Sequence, residues 1–254
     1  MEKLNHTNGN YIENKTAKIY FEETGNPDKT PLLLSHGAFG NLEDFNLIVS
    51  KLETDFRIIA IDSRGHGKST LGNEELSYEL LQSDVESVLN HLQLSSIDMI
   101  GISDGGIVGY RLACYSKIKI NKLVTISSRW DYGNVLATKE LLENEDAEYR
   151  RKNNPESYHQ YQMLNPIPDF DLLTEQLHKM WFKKESYPGR DIKNIKSETL
   201  IIKGDKDNVI QRSFVVDVAE RIPNSNLMIV PFAKHLVFEE KSEILMKAIN
   251  EFLV

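Results

Sequence analysis

The stretch Ile97-Asp98-Met99-Ile100-Gly101-Ile102-Ser103-Asp104-Gly105-Gly106 constrains this chain more than any other. An apolar run of strand character meets Gly-x-Ser-x-Gly and passes directly into Ile107-Val108-Gly109-Tyr110-Arg111-Leu112-Ala113-Cys114, which has helical spacing. A strand that becomes a helix without a linker brings two backbones close together, so the positions two before and two after the serine take residues without a Cβ. The serine hydroxyl is then exposed at a helix N-terminus, where N–H groups and the dipole favour a developing negative charge. Ser103 therefore reads as a nucleophile. The plainer alternative is a glycine-rich turn with a solvated serine, and the choice depends on whether a base, an acid and an oxyanion loop lie where this geometry needs them.

The flanking text alternates. Thr16–Glu22 reads as a strand and Gly25-Asn26-Pro27-Asp28 as a turn. Pro31–Ser35 and Phe56–Ile61 are continuous apolar runs too short for helices, which suits strands buried on both faces of a parallel sheet. Between them, Leu42–Leu52 carries helical spacing. A helix over about Ser77–Leu92, the strand before Ser103, its helix and the strand Lys122–Ile126 continue the rhythm, which predicts right-handed crossovers and a mostly parallel sheet covered on both faces.

At Ser127 the rhythm breaks. From Arg129 to about Arg190 the text is charged, of helical period, and punctuated by Pro155, Pro166, Pro168 and Pro188. Glu140–Lys152 reads as one helix with an acidic start and a basic end, and Asp171–Phe182 as another. A helical insertion between two strands of an α/β core is expected to cap the mouth of the sheet, its inner aromatics lining a pocket. Trp130, Trp181 and Phe182 are candidates for that lining. After the insertion, Glu198–Lys203 and Asn226–Val230 read as strands, Ser213–Arg221 and Glu239–Leu253 as helices. The expected organisation is a core over 1–128, a cap over 129–190 and the rest of the core over 191–254.

A serine hydroxyl needs a neutral imidazole to take its proton, and the imidazole needs a carboxylate to fix its tautomer. After the strand Glu198–Lys203 comes Gly204-Asp205-Lys206-Asp207, and after Asn226–Val230 comes Pro231-Phe232-Ala233-Lys234-His235. In a parallel sheet these strand ends open on one edge, so Ser103, Asp207 and His235 can converge there. Asp205 competes with Asp207 for the acid, and Asp131, just after another strand, is a weaker rival. Of the seven histidines only His235 follows a late strand; His36 and His66 sit in loops that they are expected to shape.

Composition narrows the classes. A chain of 254 residues, 40% hydrophobic, suits one α/β domain with an insertion. A net charge of -8 argues against nucleic acid or an anionic membrane as main partner. No apolar run approaches the roughly 20 residues of a membrane span, and Met1–His6 opens no signal-peptide pattern, so the expected location is the cytoplasm. The single cysteine, Cys114, excludes an internal disulfide, and no histidine pair or carboxylate cluster has metal-ligand spacing.

Five stretches together resemble the α/β-hydrolase fold family: Ser35-His36-Gly37-Ala38-Phe39-Gly40-Asn41 after a strand, Asp62-Ser63-Arg64-Gly65-His66-Gly67-Lys68-Ser69, the Ser103 turn, the Gly204–Asp207 turn and the His235 loop, in family order. The resemblance implies a mostly parallel twisted sheet with helices on both faces, and a helical cap inserted after the sixth strand. It favours the second aspartate, Asp207, as the acid. It implies an oxyanion hole from the backbone N–H of Asp104 with that of Ala38 or Phe39. Within the family, Gly-x-Ser-Asp-Gly-Gly with a His-Gly loop is similar to small capped serine hydrolases of the carboxylesterase and valacyclovir-hydrolase kind. That likeness implies cleavage of a small ester with no cofactor and no metal, and suggests that Asp104 attracts an amine-bearing acyl group. The same triad also serves C–C bond hydrolases, aminopeptidases and cofactor-free haloperoxidases, and the fold serves slow-turnover signalling receptors. Monomer and homodimer both remain open.

Overall fold

Short apolar runs separated by helical text build one eight-stranded sheet. The computed structural model describes residues 3–254; Met1 and Glu2, at the start of the segment read for a targeting signal, lie outside them. The strands are β1 (Asn10–Asn14), β2 (Ala17–Gly25), β3 (Thr30–Ser35), β4 (Phe56–Ile61), β5 (Ser96–Ile102), β6 (Lys119–Ile126), β7 (Glu198–Gly204) and β8 (Ser225–Val230), in the order β1-β2-β4-β3-β5-β6-β7-β8. From β4 through to β8 every neighbouring pair is parallel, whereas β2 runs antiparallel to both β1 and β4.

Burial on both faces explains why the central strands read as unbroken apolar runs. Leu33, Ile59 and Met99 pack on one face with α2 (Tyr78–His91) and α3 (Asp104–Tyr115), where α2 follows α1 (Asn46–Leu52) in the chain. Their neighbours Leu32, Leu34, Ile58, Ala60 and Ile100 pack on the other face, with Ile48, Val49 and Leu52 of α1. Five helices lie between β6 and β7: α4 (Tyr132–Leu136), α5 (Lys139–Glu143), α6 (Ala147–Asn153), α7 (Pro155–Leu164) and α8 (Phe170–Trp181). After β7 come α9 (Arg212–Arg221), α10 (Val237–Glu240) and α11 (Ser242–Leu253), and α11 packs beside α1.

The structure departs from the sequence reading in four places. Strand β1 was not among the runs expected; it is polar, with only Ile12 of its five residues buried, and is held at the sheet edge by pairing with β2. It supplies the sixth strand before the insertion. Glu140–Lys152 is two helices rather than one, because Asp146 leaves the helical path to cap α6, its carboxylate accepting from the Tyr149 N–H at 2.7 Å. Such side chains favour caps over helix interiors. Pro155, taken as punctuation, occupies the first turn of α7, where its missing N–H has no partner to lose. The closing helix starts at Val237 and is interrupted at Lys241.

Candidate active site

The turn after β5 has the close approach that its glycines foretold. A Cβ on Gly105 would stand 2.1 Å from the Ser35 carbonyl oxygen, and one on Gly101 would stand 2.4 Å from the Gly105 oxygen. No side chain fits either position. Ser103 itself has φ 51° and ψ -114°, a strained conformation for a residue with a Cβ, and its N–H donates to the Ile126 carbonyl at the end of β6 at 2.8 Å. The neighbouring strand thus holds the strained turn in place, at the N-terminus of α3.

Two loops bring the other groups to this turn. The His235 Nε2 lies 3.2 Å from Ser103 Oγ, and its Nδ1 lies 3.0 Å from Asp207 Oδ2. A carboxylate only accepts, so Nδ1 carries the proton and Nε2 is left to accept from the serine. Asp207 Oδ1 accepts from the N–H groups of Val209 (2.8 Å) and Ile210 (3.0 Å). Burial opposes ionisation of Asp207, but the hydrogen bonds from His235 and these two N–H groups outweigh it and hold the carboxyl below the usual aspartate range. Ser127 Oγ donates to the His235 carbonyl at 2.9 Å, tying the end of β6 to the histidine loop. Lys203, almost wholly buried, donates from Nζ to the Gly204 carbonyl at 2.6 Å, beneath the loop that carries Asp207.

The loop after β3 lies against the serine: a Cβ on Gly37 would be 3.0 Å from the Ser103 Cβ. The backbone N–H groups of Ala38, Phe39 and Asp104 find no acceptor among the described residues, and all three residues border a cavity of about 360 Å³ that also takes in Ser103 and His235. Phe39 adopts φ 61°, and its carbonyl accepts from Ser157 Oγ of α7 at 2.7 Å, so an inserted helix braces the loop. Leu142 and Trp181 bring two more inserted helices to the wall.

Several residues singled out from the sequence lie elsewhere. Trp130 is away from the cavity, its indole N–H donating to the Phe214 carbonyl at 3.1 Å and its ring lying under Arg221. Phe182 ends α8 against the apolar core and is absent from the cavity wall. Aromatic density alone does not reveal which way a helix turns its rings. Asp104 borders the cavity, but its two carboxylate oxygens accept from the Tyr78 hydroxyl at 2.8 Å and the Trp181 indole at 3.0 Å. A carboxylate engaged in this way, with one donor on each oxygen, braces the wall between the α2 and α8 side chains. Asp205 pairs with Arg212 on the surface, and Asp131 caps α4 by accepting from the Gly133 N–H at 2.7 Å. His36 is neutral: burial, together with the nearby His66 ring, pushes it down to about 4, and its Nε2 accepts from the Ser63 N–H at 2.9 Å.

Sequence reasoning missed Arg129 and Arg150, both on the cavity wall. Arg129 had a readable signal, since it follows β6 at the same sheet edge as the triad. Arg150 lies mid-helix among other charges and had none. Among the described residues no group of three or more His, Cys, Asp or Glu side chains is placed to hold a metal ion, and no helix is long and apolar enough to cross a membrane.

Comparison with known proteins agrees with this fold. A family model described as alpha/beta hydrolase fold matches residues 30–188, more than half of the chain. The esterase YbfF of Escherichia coli is 24% identical over 247 residues, covering 89% of this chain and 94% of that protein. Among solved structures, a hydrolase from Pseudomonas aeruginosa overlays with a TM-score of 0.79 at 23% identity, covering 98% of this chain and 99% of the other. A thermophilic esterase from Thermogutta terrifontis overlays at 0.74 with 22% identity, covering 96% and 98%. At these identities the overlays speak to the fold.

Proposed function

This chain belongs to the alpha/beta hydrolase fold family, and from that premise we propose that it is a serine hydrolase cleaving a small carboxylic ester through an acyl-enzyme on Ser103. The observation that carries this reading is the continuous hydrogen-bond chain from Asp207 through His235 to Ser103 at the wall of a cavity. His235 Nε2 takes the serine proton as Oγ attacks the ester carbonyl, and Asp207 stabilises the imidazolium that results. The tetrahedral oxyanion is held by the Asp104 N–H with that of Ala38 or Phe39, each donor typically contributing on the order of 10² to 10³ in rate. The imidazolium returns its proton to the departing alcohol. Water, deprotonated by the same histidine, then releases the acid. These steps use the chain's own groups and one water. A cavity of about 360 Å³ is near the lower end of ligand pockets, which favours a small ester.

A panel of short-chain p-nitrophenyl esters tests the reading. Ser103→Ala is expected to lose at least about 10⁴-fold in kcat, the scale of a triad knockout. Turnover in the variant equal to that of the wild type would remove Ser103 from the mechanism.

A further inference from the structure

On the same reading of the site, we propose that the ester this protein takes carries a second, free carboxylate, and that Arg129 receives it. The argument starts from how this chain treats its other buried arginines. Arg64 is fully enclosed and saturated: it donates to both oxygens of Asp84 at 2.8 and 2.7 Å, to Glu74 at 2.9 Å and to the Asn14 carbonyl at 3.0 Å. Arg111 likewise reaches Glu79 at 3.1 Å, Gln82 at 3.1 Å and the Ser186 carbonyl at 2.8 Å.

Arg129 is different. It is 3% exposed, yet it pairs with no carboxylate among the described residues. Its Nη2 donates to Thr138 Oγ1 at 3.1 Å and, at the long distance of 3.4 Å, to the Val209 carbonyl, and its buried Nε has no partner. A guanidinium cannot shed its proton in a protein, so this is a permanent buried cation with spare donors. It lies on the wall of the Ser103 cavity, and the Val209 that it contacts is two residues after Asp207 in the chain. A buried unpaired charge is costly unless something neutralises it. An anion filling the cavity supplies that neutralisation, and the planar fork of arginine suits the two oxygens of a carboxylate.

The carboxylates on the same wall do not compete for Arg129. Asp104 is occupied by Tyr78 and Trp181, and Glu145 pairs with Arg150. Burial pushes Asp44 up to about 7 and raises Glu239 as well, moving both toward their neutral forms. Arg150 also lines the wall, over the Phe39 ring and with an unpartnered Nε, but Glu145 already answers its charge, which leaves Arg129 as the arginine of this wall without a carboxylate. The reaction balances as simple hydrolysis: water adds across the ester bond of a dicarboxylic monoester and yields the dicarboxylate, the alcohol and one proton.

The test compares three methyl esters of one chain length, monomethyl adipate, methyl hexanoate and methyl 6-aminohexanoate, by proton release at constant pH. The wild type is expected to favour monomethyl adipate over methyl hexanoate by at least about ten-fold in kcat/KM, the size of one hydrogen bond to a charged group. The amine is expected to be the poorest. In Arg129→Met the ratio between the anionic and neutral esters should collapse toward one, and Arg129→Lys should keep part of it. A wild-type ratio near one, or a preference for the amine, overturns the inference while leaving ester hydrolysis standing. That comparison needs no variant, so a misfolded Arg129→Met does not shield the inference. If the wild type cleaves none of the three, calorimetric titration of Ser103→Ala with adipate separates the two ideas. Saturable binding that Arg129→Met abolishes keeps the anion site and removes the hydrolase reading; absence of binding overturns the anion site too.

Discussion

At the scale of single residues, the two aspartates of the Gly204–Asp207 turn make the sharpest contrast. Asp207 is 7% exposed and bonded to His235, whereas Asp205 is paired with Arg212 and Lys206 at the surface. Asp207→Asn is expected to lower kcat by about 10⁴, because an amide in that place favours the wrong histidine tautomer; Asp205→Asn should stay within a few-fold of the wild type in the same ester assay, surface pairs being weak. The hydrogen bonds that hold the Asp207 carboxyl below the ordinary aspartate range should also keep it ionised when the ester assay is run at mildly acid pH. Asp44 gives a stability prediction of definite sign. Burial holds its carboxyl protonated up to about 7, so between the ordinary aspartate range and that value the folded protein binds a proton that the unfolded chain has released. Stability must then fall as pH rises across that window. Asp44→Asn removes the slope, and its melting temperature should gain on the wild type between about pH 5 and pH 8. The meeting of Ser103, His235 and Asp207 was legible in the sequence because each follows the end of a strand in one parallel sheet. Trp130, Phe182 and the engagement of Asp104 were not, because each depends on which neighbour a side chain meets across the insertion.

At the scale of elements, the turn from β5 into α3 is the most tightly specified. Gly105→Ala would push a Cβ to 2.1 Å from the Ser35 oxygen, so strand and helix must separate. Overpacking of this kind typically destabilises by about 1–3 kcal/mol, and displacement of Ser103 should remove most ester turnover. Circular dichroism melting together with the ester assay separates the two effects. The central strands were readable because burial on both faces leaves them almost wholly apolar, and α2 because Ser77 caps it ahead of a clear apolar stripe. Strand β1 escaped notice because an edge strand held by backbone pairing needs few apolar residues. The break between α5 and α6 depends on one capping aspartate within a run that also has helical composition.

At the scale of the whole molecule, the parallel order of β3, β5, β6, β7 and β8 carries the Gly37–Phe39 loop, Ser103, Arg129, Asp207 and His235 to one edge of the sheet. The convergence of Ser103, Asp207 and His235 followed from counting strands, whereas Arg129 and the shape of the cavity did not, since five short inserted helices pack by side-chain fit that no periodicity encodes. The far end of the sheet is secured by the Arg64 network, which joins β1, through the Asn14 carbonyl, to α2, through Asp84. Asp84→Ala leaves Arg64 buried with half its partners and is expected to cost about 3–5 kcal/mol in denaturant unfolding, as breaking one side of a buried pair usually does. The central claim, that these distant segments assemble one working nucleophile, is tested most directly by reacting the native protein with a serine-directed fluorophosphonate and locating the adduct by peptide mass analysis. The account predicts a single adduct on Ser103, loss of ester turnover in step with its formation, and no adduct in Ser103→Ala. Full ester turnover in a protein left unlabelled at Ser103 would contradict it.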